Sequence, residues 1–455
     1  MTFFTMIRKT LFLASILLIS GTASAQNWID MGPFPPDSSF TLPTHGLAVD
    51  GEGKIWVDQF ARTPALSMDG DTLRDSNGNS FTSGPIWIYN PDGTLAMEPI
   101  HVIEGDTLGS FGEGGFVGGL KTDIDGNIIV AIRQAAAGGI LYRFNHETGE
   151  VMDRLVTENY SHASPGIDDF GNIYMANVGA SGSGILINTT DFNFAGLVTD
   201  TLKWGIGRNV EVSADGNAVY WANSVATQAP GLIKFTRSDD FSPYTTNFNP
   251  LDSTGIVHPG LTSESSTRHP TTGHVWFGHA RDCCESAADS VNYTFLTWYG
   301  LDPVTDEIVD SLNFNLPTDY AGENTRAIAF SPDGLYAYVG IFNGGQPTVK
   351  KFMRGTVTSI QRDPVEIPDG FTLSQNYPNP FNPQTNIEFE IKDAGLATLK
   401  VYDVLGREVA TLIDEHLVAG KYTATFNATE LTSGTYVYQL NVAGHRLSGK
   451  MMLVK

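Results

Sequence analysis

Arginine, histidine, asparagine and aspartate recur in this sequence at the ends of short apolar runs. His45 and Asp58 bracket the first pair of runs, and Arg133, His162 and Asn177 attach to the next two. Arg208, Asn209 and Asn223 follow, then Arg268, His279, Arg281 and Asp282, and last Asn324, Arg326 and Asn343. Guanidinium and imidazole groups on loops above a rigid scaffold would focus positive potential, which suits a carboxylate or another small anion. Asparagine and aspartate could instead hold a divalent metal through oxygen. No compact catalytic signature accompanies them. His-Glu-x-x-His, Gly-x-Ser-x-Gly, Cys-x-x-Cys and the phosphate-binding loop are absent.

Two further segments carry candidate chemistry. The stretch 69–79 offers Asp69, Asp71, Asp75, Asn77 and Asn79 as oxygen ligands for calcium. It lacks the glycine and distal glutamate of an EF-hand loop, and turn chemistry accounts for the same residues. The two cysteines, Cys283 and Cys284, are adjacent. In an oxidising compartment they could close on each other. Neighbouring Cα atoms lie ~3.8 Å apart, below the ~4.4 Å lower limit of ordinary disulfides, so the ring needs a twisted or cis peptide. Two free thiols, or a metal held with His279, are the other readings.

The elements that must position these residues repeat. A short apolar strand, an Asp/Gly/Asn turn and a second strand recur at 46–57, 120–130, 166–175, 210–221, 266–277 and 326–339. The turn glycines Gly53, Gly126, Gly171, Gly216, Gly273 and Gly334 are spaced 73, 45, 45, 57 and 61 residues apart. About 45 residues is the length of a four-stranded propeller blade, and longer intervals leave room for loops. A second pair of strands follows each copy, with hairpin turns at 90–93 and 146–149. Six such units predict an all-β, six-bladed β-propeller over 26–352, with a seventh blade only if 26–34 opens one. In that geometry the start of each inner strand and the end of the next share one face, which is where the dispersed polar set falls.

Charge and composition narrow the function classes. The chain has 27 Lys/Arg and 50 Asp/Glu, a net −23, and residues 371–455 hold only 7 and 8 of them. An acidic domain without a basic cluster repels phosphate backbones, so nucleic acid is not an expected partner. The first 25 residues read as a signal peptide. Arg8 and Lys9 precede the apolar core 11–20, and Ala23-Ser24-Ala25 offers a cleavage site. No later run is long and apolar enough to span a membrane. The mature chain is therefore expected outside the cytoplasm.

The blade copies resemble six-bladed NHL-repeat, gluconolactonase-type and virginiamycin-lyase-type propellers. The lactonase resemblance implies a divalent metal at the mouth, with Asn209 placed like its metal-binding asparagine and Asn223 assisting. His45 and Arg326 stand where carboxylates would be wanted, and cation beside cation is wrong for a metal. A non-catalytic module binding a small anion, a glycan or a protein is the leading expectation, and a metal-dependent hydrolase or lyase the alternative. After a Pro/Gly-bearing linker at 353–370 come seven β-rich runs. Within them 376–383 (NYPNPFNP), 399–409, 419–428, 433–440 and 449–455 (GKMMLVK) resemble the type A sorting domain of type IX secretion. That resemblance implies an immunoglobulin-like sandwich over 371–455. It implies recognition by the outer-membrane translocon and removal by its sortase, leaving a released or surface-attached protein that has passed through the periplasm.

Overall fold

The computed structural model describes residues 28–37, 40–109, 116–134, 138–157, 164–176, 184–200, 202, 206–225, 231–249, 254–279, 293–316, 324–342, 347–354, 360–363, 370–392, 395–417, 420–428, 431–442 and 444–455. Every regular element among them is a β-strand.

The described residues of 28–354 form six main antiparallel sheets. Their leading strands are Leu47–Val49, Phe116–Thr122, Gly166–Ile167, Ile206–Val212, Ser263–Arg268 and Asn324–Phe330, which head sheets one to six. Each leading strand turns into a partner: Ile55–Asp58, Ile128–Gln134, Ile173–Ala176, Ala218–Val225, Val275–His279 or Tyr336–Phe342. The turn glycines of all six copies have positive φ. Gly126 shows why. Its φ is +83°, and a Cβ there would lie 2.7 Å from the Gly51 Cα of the neighbouring turn. Only glycine satisfies both demands. In the first three turns an aspartate anchors the bend. Asp50, Asp123 and Asp168 each accept two backbone amides through Oδ1, and Oδ2 reaches Trp56, Arg143 and Tyr174 respectively.

Strand residues point alternately to two faces, and in the inner strands of these sheets both faces are buried. Trp56 of sheet one packs with Leu120, Ile128 and Val130 of sheet two, while Ile55 and Val57 pack with Ala327, Ala329 and Tyr338 of sheet six. Further clusters join sheet two to three through Ile129 and Ile173, and three to four through Tyr174 and Trp221. Tyr220 and Phe277 join four to five, and Trp298 and Val339 join five to six. Six interfaces therefore link six sheets in sequence order, the last to the first. Sequence reasoning also expects residues 27–31 to pair near 349–352, since the last sheet would otherwise keep an unpaired edge. Trp28–Pro33 lies antiparallel to Val349–Arg354 and completes sheet six, rather than opening a seventh.

Downstream, two four-stranded sheets share one core. One contains Thr372–Leu373, Gln384–Ile391, Gly420–Asn427 and Ile360–Asp363; the other contains Glu408–Leu417, Gly395–Tyr402, Gly434–Val442 and His445–Leu453. Ile387, Phe389 and Phe426 of the first meet Leu399, Tyr438 and Leu440 of the second. Gln384–Ile391 alternates outward and buried residues, as a sheet with one wet face requires. Ile360–Asp363 falls inside the segment read as a linker, yet pairs with Lys421–Ala424 and belongs to this unit.

Candidate functional site

The leading strands touch one another across the middle of the six sheets, so their two ends define two polar surfaces. At the starting ends, Thr44, His45 and Gly46 wrap around Asp58. Its Oδ1 accepts the Thr44 hydroxyl and the amides of His45 and Gly46. The His45 ring stacks on Phe60, centroids 4.2 Å apart, and lies 5.1 Å from Phe342. The Arg326 guanidinium sits 4.6 Å over Phe342 and is ion-paired with Glu264. Asn209 Nδ2 donates to Ser263 Oγ at 3.2 Å, and Ser263 pairs with His279. The structure thus gathers His45, Asp58, Asn209, His279, Asn324 and Arg326 at strand starts and the ends of their partners. Sequence reasoning missed Phe60, Phe342 and Glu264.

Arg133, Arg208 and Asn223 lie on strands Ile128–Gln134, Ile206–Val212 and Ala218–Val225, but their side chains are outside the described ones. His162, Asn177, Arg281, Asp282, Cys283, Cys284 and Asn343 lie outside the described residues altogether.

Arg268 requires a correction. It is the last residue of Ser263–Arg268, pairs with Val275, and so stands at the turn end, away from Arg326. Its guanidinium bonds the Ile167 carbonyl and Asp169, the latter at 2.6 Å. The strand's start escaped detection because Ser263-Glu-Ser-Ser-Thr-Arg268 is polar yet largely buried, and a register shift intervenes between Ser263 and Ser266. At this end a cavity of about 500 Å³ opens, with Lys121, Glu211, Arg268 and the aspartates of the first three turns in its wall. Lys121 Nζ spans it to Glu211 at 2.7 Å and to the Ser266 carbonyl at 2.9 Å. A lysine and a glutamate inside otherwise apolar strands were the available signal.

The calcium candidates do not converge through their side chains. Asp69 and Asp71 belong to a turn closed by Ser67, and Asp75 to the next, where its Oδ1 accepts the amides of Asn77 and Asn79. Those bonds hold the Asp75 carboxyl below its usual range. All five residues are exposed. Among the described residues the group with metal-ligand spacing is Glu52, His146 and Glu147.

Burial sets the electrostatics of the starting ends. Desolvation pushes Asp58 up to about 7, against the opposing pull of its hydrogen bonds. The same cause pushes His279 down to about 4. For Asp58 the folded chain binds the extra proton, so its contribution weakens as pH rises from about 4 to about 7 and is constant above. Asp58→Asn keeps an acceptor and removes the ionisation. The melting temperature of the variant relative to wild type should therefore rise across that window, by the equivalent of up to about 4 kcal/mol. A constant difference from pH 4 to pH 8 would show that Asp58 does not titrate there. The Arg326–Glu264 pair, 9% and 6% exposed, gives a second expectation. Arg326→Ala strands a buried carboxylate and should cost about 3–5 kcal/mol. Adding Glu264→Ala should recover part of that loss in chemical denaturation, and equal losses would refute the coupling.

The C-terminal motifs have their own geometry. Asn376 is buried and its amide side chain bonds the Pro378 carbonyl and Thr385. Its backbone N–H donates to the Tyr438 hydroxyl, which donates in turn to Ser374. Tyr438 lies against Gly449, where a Cβ would fall 2.2 Å from the ring. Phe381 exchanges backbone bonds with Met452 and Val454, tying the proline-rich motif to the last strand. These motifs thus form one interlocked surface, which leaves Tyr377 exposed.

These features define an all-β protein with a separate C-terminal β unit. Residues 375–455 match the family model of the secretion system C-terminal sorting domain. The domain directs the chain through type IX secretion, and hence to its machinery, toward the cell surface or extracellular space. None of the curated proteins matches the chain. Among solved structures it is similar to PorZ, a surface component of the type IX system of Porphyromonas gingivalis, at 13% identity and a TM-score of 0.38. That match covers 90% of this chain and 51% of PorZ, so the chain spans about half of that protein. Raptor of Chaetomium thermophilum gives 12% and 0.40, over 73% of this chain and 29% of that one. The β-propeller domain of Cps50 (Swd1) from Myceliophteria thermophila gives 9% and 0.38, over 72% and 100%. No helix among the described residues is long and apolar enough to cross a membrane.

Proposed function

We propose that residues 26–352 form a six-bladed β-propeller that acts as a non-catalytic ligand-binding module at the starting ends of its inner strands. Residues 371–455 then form an immunoglobulin-like sandwich read by the translocon and removed by the sortase. Cyclic packing of six sheets, with both chain ends of the unit in sheet six, supports the blade count. The observation that carries the binding reading is a concentration of polar atoms with unfilled hydrogen-bond capacity. Asp58 Oδ2, Asn209 Oδ1, His279 Nδ1 and Thr325 Oγ1 are buried without a partner among the described residues. Buried polar groups are costly unless water or a ligand completes them. With Arg326 neutralised by Glu264 and Arg268 at the far end, a hydroxyl-rich glycan fits this set better than a small anion.

The same correction gives the metal-dependent alternative a specific footing. Once Glu264 balances Arg326, one of the two groups that opposed a metal is compensated, and Asp58, Asn209 and Asn324 supply oxygen. A glycan array, metal analysis and a lactone-hydrolysis assay on the secreted protein separate the readings. Glycan binding lost in Asn209→Ala at unchanged melting temperature supports the binding module. Metal-dependent hydrolysis lost in the same variant supports the enzyme, and neither signal rejects both.

A further inference from the structure

We infer that the turn-end cavity is a second binding site, selective for an organic cation: an ammonium or guanidinium carried on an apolar stem. It is separate from the starting-end surface and does not rest on the reading given there. At about 500 Å³ it lies within the ~300–1,000 Å³ of small-ligand pockets. Six carboxylates line it: Asp50, Asp123, Asp125, Asp168, Asp169 and Glu211.

Charge accounting decides the sign of the ligand. Lys121 is paired with Glu211, Arg268 with Asp169, and Asp123 with Arg143 behind the wall. Asp50, Asp125 and Asp168 remain, three negative charges with no cation bonded to them among the described residues. Asp50 and Asp168 are fully buried and fixed by backbone amides, so their carboxylates are held in place close to a low-dielectric wall. Asp125 is exposed at the mouth. The cavity belongs to a strongly acidic chain, which adds to the same potential.

The remaining wall sets the shape of the ligand. Val49, Ile167, Ala329, Phe330, Pro270 and Pro332 make an apolar lining. Ile124 lines the mouth 49% exposed, against the turn that carries Phe170, itself 63% exposed. An anion would meet unbalanced carboxylates, and a bare metal ion would gain nothing from the apolar wall. A cation with a hydrocarbon stem uses both.

The test is isothermal titration of the secreted protein with Nα-acetyl-lysine methylamide and with its uncharged counterpart lacking the ammonium, Nα-acetyl-norleucine methylamide. The lysine probe should bind, weaken as salt rises, and lose at least tenfold affinity in Asp125→Lys, whose exposed position leaves the melting temperature unchanged. Equal binding of the norleucine probe overturns the inference, as does full affinity in Asp125→Lys or no heat at millimolar probe. Cadaverine and a lysine-bearing hexapeptide distinguish the source. Tenfold tighter binding of the peptide marks a protein segment seated on Ile124 and Phe170, and equal binding marks a free amine.

Discussion

Removing residues 371–455 is expected to leave the remaining chain folded and held in the periplasm, with essentially none at the cell surface or in the medium. The two units have separate cores. Phe381, Ile387, Leu399, Tyr438 and Met451 belong to one cluster, and no residue of sheets one to six belongs to it. Loss of the tail therefore removes the export signal at 375–455 without taking apolar cover from the rest. A subtler variant tests the recognition surface itself. Gly449→Val places atoms where the Tyr438 ring lies and should disturb the Asn376–Tyr438–Ser374 chain of hydrogen bonds. It should reduce export while the melting curve of the upstream unit stays as in wild type. Fractionation with mass spectrometry reads both variants. The wild-type surface form should begin at Gln26 and lack most of 371–455. An exported protein that still ends at Lys455 would contradict the processing, and efficient export of the truncated chain would contradict the role of the tail.

The turns were legible because they demand particular residues. Six glycines with positive φ sit at the expected turns, and the runs on either side of each became paired strands. The pairing of Trp28–Pro33 with Val349–Arg354 was legible for a related reason, since an unpaired last sheet would leave an edge that the first strand can cover. The sites were less so. Lys121 and Glu211 lie 90 residues apart and meet only because two leading strands converge on the middle. Arg268 was assigned to the wrong end because its strand is built from serine, threonine and glutamate, buried although polar. Glu264 was missed for the same reason, and with it the compensation of Arg326. Hydrophobic pattern marks strands through what they bury, so a buried strand of small polar residues carries no mark.

Trimming the chain to begin at Thr41 should lower the melting temperature of the upstream unit by on the order of 10 °C. Trp28–Pro33 supplies the fourth strand of sheet six, and its loss uncovers the backbone of Val349–Arg354. Side-chain packing goes with it. Trp28 packs edge-on against Trp276 at 5.9 Å and lies 5.7 Å from Phe330, so it braces sheet five against sheet six. Phe34 is 2% exposed and touches Tyr89 of sheet one and Tyr338 of sheet six. Removing a phenylalanine so buried costs about 3–5 kcal/mol by itself. In a unit of this size each kcal/mol shifts melting by about 2–4 °C or somewhat less. Phe34→Ala should therefore reproduce a large part of the effect with the strand still present. The two variants separate packing from pairing. If trimming and Phe34→Ala lower melting equally, the strand matters for its side chains alone. If trimming also shifts the protein toward association in light scattering, the uncovered edge is the cause. An unchanged melting curve in the trimmed chain would refute closure by this strand.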